Sequence, residues 1–320
     1  MPQPTQEDLH VDAALTNISV AYIQDQSHFI ASQVFARVPV DKQTDFYWSY
    51  DKDDWFRDEA KIRADNTESA GSGYDVSSTN TYACTVEAIH KDIGRQARAN
   101  ADAVFNMETD ATRFVTQRLL VRREAQWVTD YFSTAIWGTD FASTAAWSDY
   151  TNGDPILEIE AGKQGILEVT GFEANTLVLG YPTWRALKHH PDIIERIKYT
   201  GGPDSDVKKA LADLFEIERI LVAKSVINSA NEAAAAGTYA FNHGGQALLA
   251  YVNPNPSLLA PSAGYEFVWQ GISDGMGEDI GITRIPQPNT RAMRIEGEIA
   301  KDYQVVGADL GYFFSNASTF

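Results

Sequence analysis

The chain has 320 residues, 44% hydrophobic and 22% charged, with a formal net charge of −18; that length is large for a single core and predicts two subdomains. A sequence-specific nucleic-acid binder should carry a basic patch or stripe, and no such stripe is visible. No apolar run is long enough to span a bilayer, and the lone Cys84 excludes an intramolecular disulfide and a cysteine-cluster metal site.

Residues 1–15, with Pro2 and Pro4, read as an arm that is ordered only where something holds it. They have no basic n-region and no apolar h-region, so no secretory signal is expected. As far as Ala36 the chain carries Glu7, Asp8, Asp12 and Asp25 but no Lys or Arg, and should not seek polyanions. A short helix is expected around 25–35, ended by Pro39. Residues 40–50 alternate, with Phe46, Trp48 and Tyr50 on one face and Asp45, Tyr47 and Ser49 on the other, which predicts a strand. About 25 residues rich in charge, Ser and Gly follow, and then a second alternating run with Tyr82, Cys84, Val86 and Ala88 on one face. Two strands around a long polar tip make an extended β-arm. Such an arm is marginal in water by itself, so a partner surface should support it, and another copy of the chain is the natural candidate.

Residues 106–137 contain no Gly or Pro and repeat apolar residues at helical spacing: Phe114, Val121, Ala125, Val128, Phe132 and Ala135, widened by Leu120, Trp127 and Tyr131. Arg113, Arg122, Arg123, Glu124, Gln126 and Asp130 fall off this stripe. Asn106 is the expected N-cap, Glu108 and Asp110 suit the helix dipole, and Gly138 is a stop. About 28 residues make a rod of roughly 40 Å, a spine on which strands can lie. Arg122-Arg123, with Arg113 and Arg118 nearby, read as a solvated or interface face. A loop over 141–153 carries Trp147 and Tyr150. Asp154-Pro155 then opens a helix. Strands are expected at 176–180, 219–223, 246–252 and 265–270, and helices after Pro182 and Pro191 and over 207–215. Gly201-Gly202 is a stop, Ser205 a cap, and 228–237 an Ala-rich insertion. This alternation over 155–270 predicts an α/β subdomain. The last fifty residues read as strands at 292–300, 304–306 and 308–314, returning to the spine for cover.

Enzyme motifs are missing. There is no nucleophile elbow, phosphate-binding loop or zinc-protease helix. Gly275, Gly277 and Gly281 miss the dinucleotide spacing and read as a turn. Asp51, Asp53 and Asp54 resemble the opening of a calcium loop, but Trp55 and Phe56 occupy the positions of the next ligand and the glycine. His189-His190 with Glu195 would make a poor metal trio, because adjacent rings diverge and Pro191 interrupts. A histidine complementing a helix end is simpler.

The order of parts resembles the major capsid protein of tailed bacteriophages, a fold shared with encapsulin shells and herpesvirus capsid floors. Residues 1–37 look like the N-arm, and 41–83, including DFYWSYDKDDWFRDEAKIRADN, like the extended hairpin called the E-loop. Residues 106–137 look like the spine helix of the peripheral domain, which would comprise 38–154 and 271–320. Residues 155–270, with TLVLGYPTWRALKHHPDIIERI, look like the axial domain. The implied fold is α+β. The implied function is a non-enzymatic subunit that forms pentamers and hexamers of an icosahedral shell around double-stranded DNA, in a virion assembled in the bacterial cytoplasm. The resemblance names no catalytic residue, metal or cofactor. Its implied contacts between copies lie on the arm and spine: Phe46, Trp48, Tyr50, Trp55, Phe56, Arg57, Arg63, Arg122 and Arg123. A separate scaffolding protein, a portal and a decoration protein are implied partners, with packaged DNA touched weakly and without sequence preference, and no membrane. Lys42, Lys52 and Lys61 lie in the E-loop, but no motif assigns a covalent crosslink. An encapsulin-type shell holding cargo is the alternative, and an α/β enzyme with its pocket in 155–270 is the alternative of a different class.

Overall fold

A computed structural model describes residues 23–100, 106–198, 207–231, 234, 236–257, 259–271 and 280–319. The acidic arm before Ile23, the Gly201-Gly202 stop, the Ser205 cap and Gly275 and Gly277 of the glycine turn lie outside the described residues. In chain order the elements are α1 (Ala31–Val34), β1 (Ala36–Val40), β2 (Thr44–Tyr50), α2 (Lys52–Trp55), β3 (Val76–Ala83), β4 (Thr85–Gly94), α3 (Arg95–Asn100) and the spine α4 (Met107–Tyr131). They continue with β5 (Thr139–Phe141), α5 (Pro155–Thr170), β6 (Thr176–Gly180), α6 (Tyr181–His189), α7 (Pro191–Ile197), α8 (Val207–Phe215), β7 (Arg219–Ala223), β8 (Val226–Asn228) and β9 (Tyr239–Phe241). The chain ends with β10 (Ala247–Ala250), β11 (Gly264–Trp269), β12 (Gly281–Gln287), β13 (Ala292–Val305) and β14 (Gly311–Phe314).

Two five-stranded sheets carry the fold. In the first, β13 is the hub, paired antiparallel with β4, β11 and β12, while β1 adds to β11 in parallel. The second runs β5-β14-β10-β6-β7. Its central strands β6, β10 and β14 are buried throughout, as expected of strands covered on both faces. The spine joins the two sheets. Its first half packs Ala111, Val115 and Leu119 against Ile93, Ile295 and Ile299 of the first sheet. Its second half places Trp127 in the main core, with Phe132 just past the helix end packed edge-on to Phe313 of the second sheet. Gly297 of β13 permits this close approach: a Cβ there would lie 2.4 Å from Val115 Cγ1 and 2.9 Å from Leu119 Cδ1.

Several expectations are corrected. The buried stripe of the spine is Ala111, Val115, Leu119, Leu120, Arg123, Glu124 and Trp127. Phe114 and Ala135 are exposed, Val121, Ala125 and Val128 are half-buried, and Arg123 and Glu124, read as outward-facing, are inside. The helix ends at Tyr131 rather than at residue 137. Trp137 folds back so that its indole N–H donates to the Tyr131 carbonyl at 2.8 Å, and Ala135 takes a φ of 65°. Asn106 caps the helix through Thr109 N, as expected, and Asp154 caps α5 through Leu157 N. Pro39 does not end a helix. It lies in β1, an edge strand whose outer side needs no amide donor. Cys84 is buried but sits between two strands. The inward phase changes there, from Tyr82 and Cys84 to Ile89 and Ile93, because the chain passes from pairing with β2 to pairing with β13. The strands expected at 292–300 and 304–306 are one. Ala308–Leu310 is a 3-10 turn, and β14 enters the second sheet rather than covering the spine. The strand expected at 265–270 belongs to the first sheet.

Candidate assembly surface

The arm is a ribbon of β2 and β3, running from Thr44↔Ala83 to Tyr50↔Val76, with a register shift at Trp48. Its alternation gives the two faces different fates. Tyr47 and Tyr82 stack on Phe267 of β11, with ring centroids at 5.7 and 4.6 Å, and Cys84 joins this cluster. Burial pushes the Cys84 thiol up to about 11. The opposite face carries the large side chains outward: Phe46 is 63% exposed, Trp48 61% and Tyr50 38%. A contiguous exposed apolar face of this kind marks an interaction surface.

At the tip, Asp51 caps α2 by accepting from Asp53 N at 3.0 Å, and Asp54 accepts from Asp75 N at 2.9 Å. The acidic cluster thus closes the tip backbone. Among the described residues no three His, Cys, Asp or Glu are placed to hold a metal ion. Tyr50, Trp55 and Tyr74 pack together with centroids 5.7–6.2 Å apart, and Trp55 and Phe56 remain more than half exposed. Arg57 lies 3.6 Å from Asp54, and Arg63 donates to the Thr67 carbonyl at 2.6 Å. The His189-His190 pair is not brought together with Glu195: His190 is buried with Nε2 3.1 Å from the Gly153 carbonyl, and His189 is exposed.

Arg122 and Arg123, adjacent in sequence, face opposite ways. Arg122 is exposed and donates to Glu87 at 3.0 Å. Arg123 is 2% exposed and donates to Ser32 Oγ at 3.1 Å. Beside it, the fully buried Glu124 accepts the backbone N–H of Ile30 at 3.0 Å and of Ala31 at 2.9 Å, fastening the start of α1 to the spine. Burial raises the Glu124 carboxyl to about 7, against the two amide bonds and Arg123, which favour its charged form. His243 Nδ1 lies 3.5 Å from Glu124 Oε1, with its ring stacked on Trp127. Burial lowers this imidazole to about 3, so the ring is neutral and the contact is not an ion pair at neutral pH. Nearby, the buried Glu266 takes Arg37 at 2.9 Å, and Lys301 lies over the Tyr303 ring with its ammonium pKa lowered by burial. Periodicity that assigns every charge to solvent misses this buried layer. Its one signal is that Arg123 and Glu124 stand at helical spacing from Leu119, Leu120 and Trp127.

No family model matches the chain. It is 26% identical over 321 residues to the major capsid protein of Burkholderia phage BcepMu, covering 95% of this chain and 96% of that one. It is 28% identical to the major capsid protein of Pseudomonas phage JBD67, covering 96% and 97%. Among solved structures, a phage-related protein from Bordetella bronchiseptica RB50 matches with a TM-score of 0.67 at 22% identity, over 92% of this chain and 93% of that one. The capsid of cyanophage P-SCSP1u matches at 0.62 with 11% identity, over 96% and 93%. The SrpI encapsulin of Synechococcus elongatus PCC 7942 matches at 0.54 with 8% identity, over 96% of both. The chain is similar to these phage major capsid proteins along nearly its whole length, and its fold is the one shared by tailed-phage capsids and encapsulins.

Proposed function

We propose that this chain is a capsid shell subunit, a major capsid protein that forms pentamers and hexamers of an icosahedral shell around phage DNA. The observation that carries this is the similarity to two phage major capsid proteins across at least 95% of the chain. Both relatives bear a phage capsid name, which favours a virion shell over an encapsulin cargo shell or an enzyme. The role is structural and non-catalytic, and the partner that matters most is another copy of the chain. Assembly takes place in the host cytoplasm, with a separate scaffolding protein, a portal and a decoration protein as further partners. The net charge of −18 suits a lining that touches packaged DNA weakly, since affinity grows with each phosphate neutralised.

In this reading the arm, residues 41–83, lies across a neighbouring subunit. Phe46, Trp48, Tyr50, Trp55 and Phe56 supply apolar contact, and Arg57, Arg63 and Arg122 supply polar contact at its edge. Arg123, buried against Ser32, is left out of the set. The division into a peripheral domain (38–154 and 271–320) and an axial domain (155–270) follows the same reading, with β5, β11 and β14 each crossing to the other sheet. Negative-stain microscopy of the expressed chain, alone and with its scaffold, tests the function. Capsomers or closed particles are the expected result, and a small closed oligomer under all conditions would overturn it.

A further inference from the structure

The tip of the arm is docked on its own chain. Lys52, the first residue of α2, forms an ion pair with Asp309 in the 3-10 turn that follows β13. Phe56, just past α2, lies against Gly171, the C-cap of α5: its ring is 3.7 Å from where a Cβ on that glycine would stand. Gly171 has a φ of 74°, the left-handed value that ends a helix and favours glycine. The exposed ring sits over this helix end and makes the second point of a seat for the tip. The two contacts approach the body of the subunit from the same short tip segment, 257 and 115 residues apart in sequence, so the tip is held at two points rather than one.

The docking is also incomplete. Lys52 and Asp309 remain 43% and 44% exposed, Phe56 is 61% exposed, and Phe46, Trp48 and Trp55 gain no cover from it. An exposed ion pair of this sort contributes little and is screened by salt. The seat therefore holds the arm loosely while leaving its apolar face uncovered. An arm that must lie across a neighbour has first to leave this seat.

We propose that the contacts of Lys52 with Asp309 and of Phe56 with Gly171 form an autoinhibitory seat that parks the arm on its own subunit and slows self-assembly. This rests on the reading that the arm contacts a neighbour in the shell. The seat is a competing, low-affinity occupant for the tip, and release of the tip precedes arm exchange between copies. Because one of its two contacts is an exposed ion pair, release is favoured by salt.

Two arms test the seat. In the first, Lys52→Gln and Asp309→Asn are made separately, and assembly is followed by light scattering at matched concentration. Neither residue belongs to the proposed contact set, so both variants should assemble several-fold faster than the parent at low salt and converge on it at high salt. The charge-reversed double variant Lys52→Asp with Asp309→Lys should return to the parental rate. Slower assembly of both single variants would overturn the proposal, because the pair would then serve the assembled shell. In the second, Lys52→Cys and Asp309→Cys are combined and joined with a short bis-maleimide; Cys84 is buried with a raised pKa and does not compete. The tethered subunit should stay unassembled while the untreated double variant assembles, and equal assembly of the two would overturn the proposal. Deleting the tip tests the underlying reading separately: a deleted chain that still assembles refutes the arm-over-neighbour contact itself, whereas tethering addresses only the seat.

Discussion

Glu124 carries the clearest electrostatic consequence in the molecule. Its folded pKa is raised from 4.5 to about 7, so the fold prefers the protonated acid. The stability this preference contributes is fully present below about 4.5 and is lost as pH rises through about 7. At about 1.4 kcal/mol per pKa unit the effect amounts to a few kcal/mol. Oε2 accepts from both Ile30 N and Ala31 N, and Oε1 is only a longer second acceptor for Ile30 at 3.2 Å, so glutamine can keep the two shorter bonds. Relative to Glu124→Gln, which shares every other titrating group, the parent should therefore lose stability as pH rises from about 4.5 through about 7 and level off above that. Parallel curves would show that another group titrates. His243 acts in the opposite direction: its pKa is lowered to about 3, so its contribution is present above about 6.5 and is lost as pH falls. Cys84 gives a second residue-scale expectation. The native chain should react negligibly with a thiol reagent at pH 8 and yield one thiol per chain when denatured. Rapid native labelling would mean that the base of the arm opens.

At the scale of elements, the spine is the test of packing. Gly297→Ala would place a methyl between Val115 and Leu119 and should destabilise by about 1–3 kcal/mol, read as a lowered thermal midpoint. Phe114→Ser, on the outward face beneath the Arg118 guanidinium, should change stability by less than about 1 kcal/mol. The reverse ranking would put the stripe back where the simple periodicity placed it. That periodicity found the helix and its N-cap but turned the buried face by about one residue, because it scored Phe114 as core and Arg123 and Glu124 as surface. A charge with two amide partners inside a core is invisible to a hydrophobic pattern. The α5 cap, β6, α8 and β7 were legible to the residue or nearly so, since proline, aspartate and short apolar runs mark them locally. Strand partners were not legible: β1, β11 and β14 are assigned to their sheets by contacts over more than 30 residues of sequence, which no local signal carries.

At the scale of the whole molecule, the subunit is two sheets bridged by one helix, with an aromatic arm that the chain itself leaves uncovered. The alternation of Phe46, Trp48 and Tyr50 was plain in the sequence. That they face away from β11, with Tyr47 and Tyr82 turned inward onto Phe267, required the fold. The central claim is that this surface joins copies of the chain. Replacing residues 52–74 with a short Gly-Ser turn removes Trp55, Phe56, Arg57, Arg63 and Tyr74 while leaving both sheets intact. Loop shortening alone costs little, because closure entropy varies slowly with length. The decisive measurement is a sedimentation profile of the deleted chain beside the parent, with a thermal melt of each to show that both are folded. A folded deletion chain that remains as free subunits, where the parent forms particles, is the predicted result. A deletion chain that still sediments as full-sized particles would contradict the claim that the arm holds the shell together.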